Sequence, residues 1–264
     1  MLRPAPGRVQ WLLERLYVQV LTFDFHNTLA NCGPWFDLEV RDLPWAVIER
    51  LELVSAGPEK DRVDQAYRHL RLGVIASGIE IDAYDSVSDL FERLHIPSDP
   101  PAVEHAIDAL MLEAVEAMEA VPGAIDTVRF LHNAGVRLGV VSSAVHHRTL
   151  DWILDRMGIG SCFDAVVTSA SSGFYKSSPV IYDTALHELG GDARTSVHVG
   201  DSLKWDVTMA QRAGMTAVWL QTPRRDMFAA DGDHVPPALT LETMQEAGPV
   251  LAGLLERLRI PANA

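Results

Sequence analysis

Two hydrophobic patterns alternate along the second half of the chain. Short apolar, β-branched runs are typical of strands, and segments with apolar residues three and four positions apart are typical of helices. The runs that predict strands lie at residues 18–25, 137–143, 163–169, 196–201 and 216–221. The segments that predict helices lie at 124–133, 146–157, 180–189 and 205–213. This succession predicts an α/β fold, with a Rossmann-like core in which helices cover both faces of a parallel sheet.

A long helical stretch interrupts the alternation after the first strand. Apolar residues recur at helical spacing in residues 43–53, 60–77, 87–94 and 103–118. We therefore predict a helical domain at residues 30–120, inserted after the first strand. Residues 1–29 would hold an N-terminal surface helix or arm and the first core strand, and residues 121–264 the rest of the core. Short linkers on both sides of the insertion favour a hinge.

Composition narrows the possible partners. The 264 residues are 48% hydrophobic, which is enough for one large core or a core with a smaller satellite domain. The net charge of −14 argues against nucleic acid and anionic membranes but is compatible with a small phosphorylated substrate. Cys32 and Cys162 lack disulfide or zinc spacing, which fits a cytoplasmic protein. No run is long enough to span a membrane, and the N-terminus does not resemble a signal peptide. The oligomeric state stays open.

Polar side chains follow the predicted strands at the points where the strands end. Parallel strands place their carboxyl ends at one edge of a sheet, where ligands bind. The residues that this rule brings together are Asp24, His26, Thr28, Ser142, Ser143, Lys176, Asp201 and Asp206. A single Asp or Ser at such a position is more often a cap, and a single Lys is more often solvated. Together they supply a carboxylate nucleophile, hydroxyl donors, a cation and metal ligands, which favours phosphoryl transfer.

The charges in this set suit a phosphate ester. A phosphate dianion repels an Asp nucleophile, so the site needs compensating positive charge. Mg²⁺ held by Asp24 and Asp201 would reduce that repulsion and polarise the phosphoryl oxygens. Lys176 would add a second positive charge, and Ser142 and backbone amides would donate hydrogen bonds to the equatorial oxygens.

Four ordered motifs carry a family resemblance. They read LTFDFHNTL around Asp24, LGVVSS ending at Ser143, KSSPVIY from Lys176, and GDSLKWD around Asp201. With this order and spacing the chain resembles the haloacid dehalogenase superfamily of phosphatases, in the branch with a helical cap inserted after the first motif. The resemblance covers nearly all of the chain after residue 17.

The resemblance implies a role for each motif residue. Asp24 would form a phosphoaspartyl intermediate, and Asp201 would bind Mg²⁺ with support from Asp206. Ser142 and Lys176 would hold the phosphoryl group, in a substrate site that includes Thr28 and Ser143. The backbone carbonyl at position 26 would also be a metal ligand.

His26 departs from the family pattern, which usually has a second Asp at this position for proton transfer to the leaving group. Two interpretations remain open. The imidazole, with a reference pKa of about 6.5, could perform acid–base catalysis near neutral pH. Alternatively it could pack or hydrogen-bond locally, and catalysis would be slow.

The cap and the reaction class leave further alternatives. Trp35, Phe36, Arg41, Trp45, His69 and Arg71 are candidates for the substrate-facing surface. Ordinary packing or solvation is the commoner role for any one of them. Arg71 could bind a second anionic group. Besides a phosphatase, the sequence allows a metal-independent haloacid dehalogenase, which Asp201 and Asp206 argue against, or a weakened protein that only binds its ligand.

Overall fold

A six-stranded, fully parallel sheet lies at the centre of the described chain. The computed structural model describes residues 18–55, 59–222 and 235–259, so the predicted N-terminal arm lies outside the described residues. The strands, in the order β5–β4–β1–β6–β7–β8, are β1 Val20–Phe23, β4 Arg137–Ser142, β5 Ala165–Thr168, β6 Ser196–Gly200, β7 Thr216–Leu220 and β8 Leu239–Leu241. The predicted α/β core with a parallel sheet is confirmed.

The central position of β1 follows from its sequence. All four of its side chains are buried, as expected of a strand covered on both faces. Val20 pairs with Arg137 of β4 on one side and with Ser196 of β6 on the other. This register places the carboxyl ends of β1, β4 and β6 next to one another.

Along the chain, helices lie between successive core strands from β1 to β7, and a further helix follows β8. The core helices are α6 Ala124–Asn133, α7 His147–Arg156, α8 Ser169–Ser172, α9 Val180–Leu189, α10 Met209–Arg212 and α11 Ala247–Arg259. A π-helical turn, Leu203–Thr208, precedes α10. Such turns occur often at functional sites.

A helical segment lies between β1 and β4 in the chain. Two short antiparallel strands, β2 Ala30–Asn31 and β3 Glu119–Ala120, pair at its entry and exit. Its helices are α1 Gly33–Asp37, α2 Leu43–Arg50, α3 Lys60–Ser77, α4 Ala83–Leu94 and α5 Pro100–Val115, with a π-helical turn at Leu38–Asp42. We refer to residues 32–118 as the cap segment. No described helix is long and apolar enough to cross a membrane.

Candidate active site

The loop after β1 presents the candidate nucleophile at the centre of the sheet edge. The amide of Asp24 donates to the carbonyl of Val199 in β6 over 2.8 Å, which extends the ladder by one residue. The chain then turns sharply, and Asn27 adopts φ +66°, a left-handed conformation that Asn tolerates better than most residues. The hydroxyl of Thr28, buried beneath the loop, donates to Asp24 Oδ2 over 3.1 Å. Thr28 therefore lies behind the nucleophile and does not line the cavity.

Lys176 joins two of the predicted carboxylates. Its Nζ lies 2.5 Å from Asp24 Oδ1 and 2.6 Å from Asp206 Oδ1, and all three side chains are almost fully buried. Burial works to lower the pKa of Lys176, but the two neighbouring carboxylates, led by Asp206, outweigh burial and raise it. Lys176 is therefore a buried cation at neutral pH.

Asp206 is fixed from three sides. Its Oδ2 accepts from the amide of Ser202 over 2.9 Å, and its Oδ1 lies 3.4 Å from His198 Nε2 as well as near Lys176. Burial works to raise the pKa of Asp206, but Lys176 and His198 outweigh it and hold that pKa below its usual range. Gly200 makes this packing possible, because a Cβ there would lie 2.3 Å from Asp206 Cγ.

Asp201 completes a cluster of three carboxylates. One carboxylate oxygen from each of Asp24, Asp201 and Asp206 lies within 4.8 Å of the other two. Burial raises the pKa of Asp201 to about 8, and the charges of Asp24 and Asp206 act in the same direction. Burial also raises the pKa of Asp24 to about 6, against the opposing effect of Lys176. Three carboxylates face one ammonium group here, so the described cluster has too little positive charge to balance all three carboxylates when they are ionised.

The cluster fits a hard divalent cation. Carboxylate oxygens are the protein ligands that Mg²⁺ prefers, and it is usually held by one or two of them. The raised pKa values of Asp201 and Asp24 indicate that ionisation of all three carboxylates is unfavourable unless positive charge is added. The donor set is thus compatible with Mg²⁺, with Asp24 and Asp201 as ligands and Asp206 in support.

A cavity of about 200 Å³ opens above the carboxylates. Of the predicted residues, those that line it are Asp24, His26, Ser142, Ser143, Lys176, Asp201 and Asp206. They come from the ends of β1, β4 and β6, from the loop before α9 and from the π-helical turn before α10. The structure therefore brings the predicted set together at one edge of the sheet, with Thr28 directly behind it.

His26 reaches the cap segment. Its ring stacks on Phe36 at a centroid distance of 4.8 Å and an interplanar angle of 13°. It also meets the ring of Trp35 edge-on at 5.7 Å. The imidazole thus lines the cavity and packs against cap aromatics at the same time.

The cap candidates divide into two groups. Trp35, Phe36 and Arg71 line the cavity, whereas Arg41, Trp45 and His69 do not. Arg41 instead pairs with Asp37 on the surface, Trp45 donates to Glu49, and His69 is exposed. These three candidates therefore lie away from the cavity, in the packed or solvated role that is commoner for such residues, because helical spacing alone does not say which face of a helix turns inward.

Several residues that line the cavity were not among the predicted site residues. Asn27, Glu39, Tyr175 and Trp205 all line the cavity. Asn27, between two motif residues, and Trp205, within the GDSLKWD motif, were identifiable from their position. Glu39 carried no such signal, since glutamate in a helical pattern is ordinarily solvated.

At the end of the first core strand, the structure places Asp24 beside a buried lysine and two further carboxylates. The model of the haloacid dehalogenase-like hydrolase family matches residues 18–214. That match spans well over half of the chain, and the chain belongs to this family.

Two relatives align over most of their length. A glyceraldehyde 3-phosphate phosphatase from Methanopyrus kandleri is 28% identical over 221 residues, 83% of this chain and 91% of that protein. The haloacid dehalogenase-like hydrolase domain-containing protein 3 of Bos taurus is 32% identical over 248 residues, 91% of this chain and 96% of the relative.

Solved structures share the architecture. A 2-haloacid dehalogenase from Pseudomonas syringae pv. Tomato DC3000 superposes with a TM-score of 0.62 over 90% of this chain and 99% of that one. Its sequence identity is 21%, so the likeness concerns the fold alone.

Proposed function

We propose that this protein is a Mg²⁺-dependent phosphatase that hydrolyses a small phosphorylated metabolite through an aspartyl-phosphate intermediate. The observation that carries the proposal is the position of Lys176, which bridges Asp24 and Asp206 beneath the cavity with Asp201 beside them. The phosphatase relative from Methanopyrus kandleri supports the reaction class.

The first step forms a bond between an Asp24 carboxylate oxygen and phosphorus and breaks the bond from phosphorus to the ester oxygen. The departing alkoxide takes a proton from protonated His26 or from water in the cavity, and the alcohol leaves. Thr28 and Lys176 each hold one oxygen of Asp24, which fixes the plane of the carboxylate for attack. Lys176 and Ser142 lie at the cavity floor, where they stabilise the charge on the phosphoryl oxygens.

The second step hydrolyses the aspartyl phosphate. Water attacks phosphorus, the bond to Asp24 breaks, and inorganic phosphate leaves while the carboxylate is restored. Bound Mg²⁺ would supply positive charge against the phosphate dianion at Asp24 and Asp201. The aromatic side chains of Trp35, Phe36 and Trp205 line the cavity and limit the access of bulk water.

A phosphate-release assay over a panel of small phosphate monoesters tests the proposal. We expect turnover with MgCl₂, none with EDTA, and a loss of at least roughly a thousandfold for Asp24→Asn, since a missing nucleophile leaves only residual catalysis. We expect His26→Asp to retain or gain rate, because a carboxyl group at this position restores the usual proton donor.

Three results would contradict parts of this proposal. Chloride release from a 2-haloacid in EDTA would indicate a metal-independent dehalogenase. Tight binding of phosphate esters without turnover would indicate a binding protein. A His26→Asp variant that keeps its fold but loses activity would show that the imidazole has its own chemical role.

A further inference from the structure

The cap side of the cavity holds an arginine whose charge is already neutralised. Arg71 is buried, and its Nη1 and Nη2 lie 2.6 Å and 3.2 Å from the two carboxylate oxygens of Glu80. Nη1 also donates to the carbonyl of Ile81 over 3.3 Å, and the guanidinium lies 5.9 Å from the ring centroid of Tyr175. A bidentate ion pair of this kind uses both terminal nitrogens of the guanidinium group and neutralises its charge. Arg71 therefore offers little to a second anionic group, contrary to the role considered from sequence.

A buried carboxyl group lies in the same wall. Glu39 lines the cavity at 7% exposure, and its Oε1 accepts from the amide of Val145 over 2.9 Å. Burial raises the pKa of Glu39 to about 8, so the group is mostly a neutral acid at pH 7. A neutral carboxyl group both donates and accepts hydrogen bonds, and an ionised one accepts them. Neither form supplies the positive charge that a second anion would need on leaving water.

The rest of the cap-segment wall is mostly apolar. The indole N–H of Trp35 is buried and makes no hydrogen bond of normal geometry within the described ranges, but Trp35 lies close enough to the Glu39 carboxyl group to act on its pKa. Around it lie Phe36, Val40 and Ile75 of the cap segment. The cavity volume of about 200 Å³ is below that of typical ligand pockets, which hold drug-sized molecules. Beyond the phosphate, this volume leaves room for a few carbon atoms.

We propose that this wall selects phosphate monoesters whose alcohol is small, uncharged and rich in hydroxyl or carbonyl groups, with Glu39 as a specificity-determining residue. The inference rests on the proposed phosphatase function. Glu39 binds a hydroxyl group of the substrate. The Arg71–Glu80 pair forms another part of the same wall and contributes no net charge to it. Esters that carry a second phosphate or a carboxylate are excluded.

Three phosphate esters with the same three-carbon chain test the proposed substrate selectivity. Glycerol 3-phosphate has two free hydroxyls, propyl phosphate has none, and 3-phosphoglycerate replaces the terminal hydroxymethyl group with a carboxylate. For the 264-residue chain with MgCl₂, we expect kcat/KM for glycerol 3-phosphate to exceed that for 3-phosphoglycerate by at least about tenfold, because the carboxylate would be buried without a compensating positive charge. Equal values for the two esters would overturn the proposal.

The Glu39→Ala variant tests the residue. We expect the ratio of kcat/KM for glycerol 3-phosphate to that for propyl phosphate to fall by about tenfold, since a hydrogen bond to the substrate is lost. Glu39→Gln, which keeps hydrogen-bonding groups of the same length, should restore most of the ratio. Glu92→Ala, at an exposed position of α4, is the matched control. A ratio in Glu39→Ala equal to that of the wild type would show that Glu39 only supports the fold.

The two proposals fail in different ways. If no phosphate ester is hydrolysed, the phosphatase proposal fails, and calorimetric binding of glycerol 3-phosphate and 3-phosphoglycerate to the wild type still tests the wall. Equal affinities would overturn it, and a preference for glycerol 3-phosphate would support it. If all three esters are hydrolysed at similar rates in a manner that requires Asp24, only the inference about the wall fails.

Discussion

Lys176 is the residue on which the charge balance of the site depends. It is 3% exposed and lies between Asp24 and Asp206, which are themselves buried. A buried ion pair gains little over an apolar replacement of both partners, but removal of one partner leaves a buried charge unpaired. The stability of the folded chain should therefore depend on this one ammonium group.

We expect Lys176→Met to lower the free energy of unfolding by about 3–5 kcal/mol, the usual cost of breaking a buried ion pair from one side. Met has a similar length, so packing changes little. Urea unfolding of the metal-free protein measures the difference. Lys60→Met is the control, because Lys60 forms an exposed i,i+4 pair with Asp64 and such pairs contribute about 0.5 kcal/mol. Equal losses of stability in the two variants would contradict the argument.

Site residues were most predictable from the sequence where they lie at the end of a strand. Asp24 and Asp201 follow β1 and β6, and Ser142 ends β4; the buried faces of these strands set their register, so the three side chains converge as predicted. The contribution of Glu39 could not be predicted, because the burial of its carboxyl group depends on packing between the cap segment and the loop after β4. Residue patterns record local spacing, whereas that contact joins positions 106 apart in the chain.

At the scale of elements, β6 and the π-helical turn after it act together. Gly200 ends the strand, and Ser202 begins the turn by accepting a hydrogen bond from the amide of Trp205. The turn carries Asp206 back against Gly200. The carboxylate that pairs with Lys176 can therefore reach its position only because Gly200, six residues earlier, has no side chain.

Two glycine substitutions should change stability in opposite directions. Gly200→Ala places a Cβ 2.3 Å from Asp206 Cγ, and we expect it to cost about 1–3 kcal/mol, as overpacking does. Gly73 lies exposed in the interior of α3, where an added Cβ would meet no neighbouring atom within 4 Å. Gly73→Ala should stabilise the protein by about 0.5–1 kcal/mol, because Ala loses less backbone entropy in a helix. Thermal unfolding compares both with the wild type, and a shift of the same sign in both would refute the prediction.

Long, strongly patterned elements were predictable, and short ones were not. Residues 60–77 and 180–189 form helices with the predicted bounds. Strands β2 and β3 have two residues each, too few to show an alternating pattern. Helix α11 was missed because Gly248 and Pro249 signal a break, although Pro is tolerated in the first turn, where its missing N–H is not needed.

At the scale of the whole molecule, the cap segment and the core share one apolar interior. A single cluster of buried side chains includes Trp35, Tyr67 and Ile107 of the cap segment together with Phe23 and Leu131 of the core. The acidic site lies at the edge of this interior, so binding of a cation there should stabilise the described chain as a unit.

We expect MgCl₂ at a hundred times its Kd to raise the Tm by roughly 5–10 °C, since this excess contributes about 2.7 kcal/mol and 1 kcal/mol corresponds to about 2–4 °C at this size. Asp201→Asn should remove most of the shift, because one carboxylate of the cluster is lost. Asp61→Asn, an exposed position on α3, should leave it intact. An undiminished shift in Asp201→Asn would place the bound ion elsewhere.

The paired strands β2 and β3 tie together the two points at which the chain leaves and re-enters the core. Ala30 pairs with Ala120 and Asn31 with Glu119, and opposite residues in such a ladder lie about 5 Å apart. An insertion or deletion in one strand shifts its register against the other, so viable length changes come in compensating pairs. Exchange of the helices between homologous chains is therefore simplest with both strands transferred as one cassette.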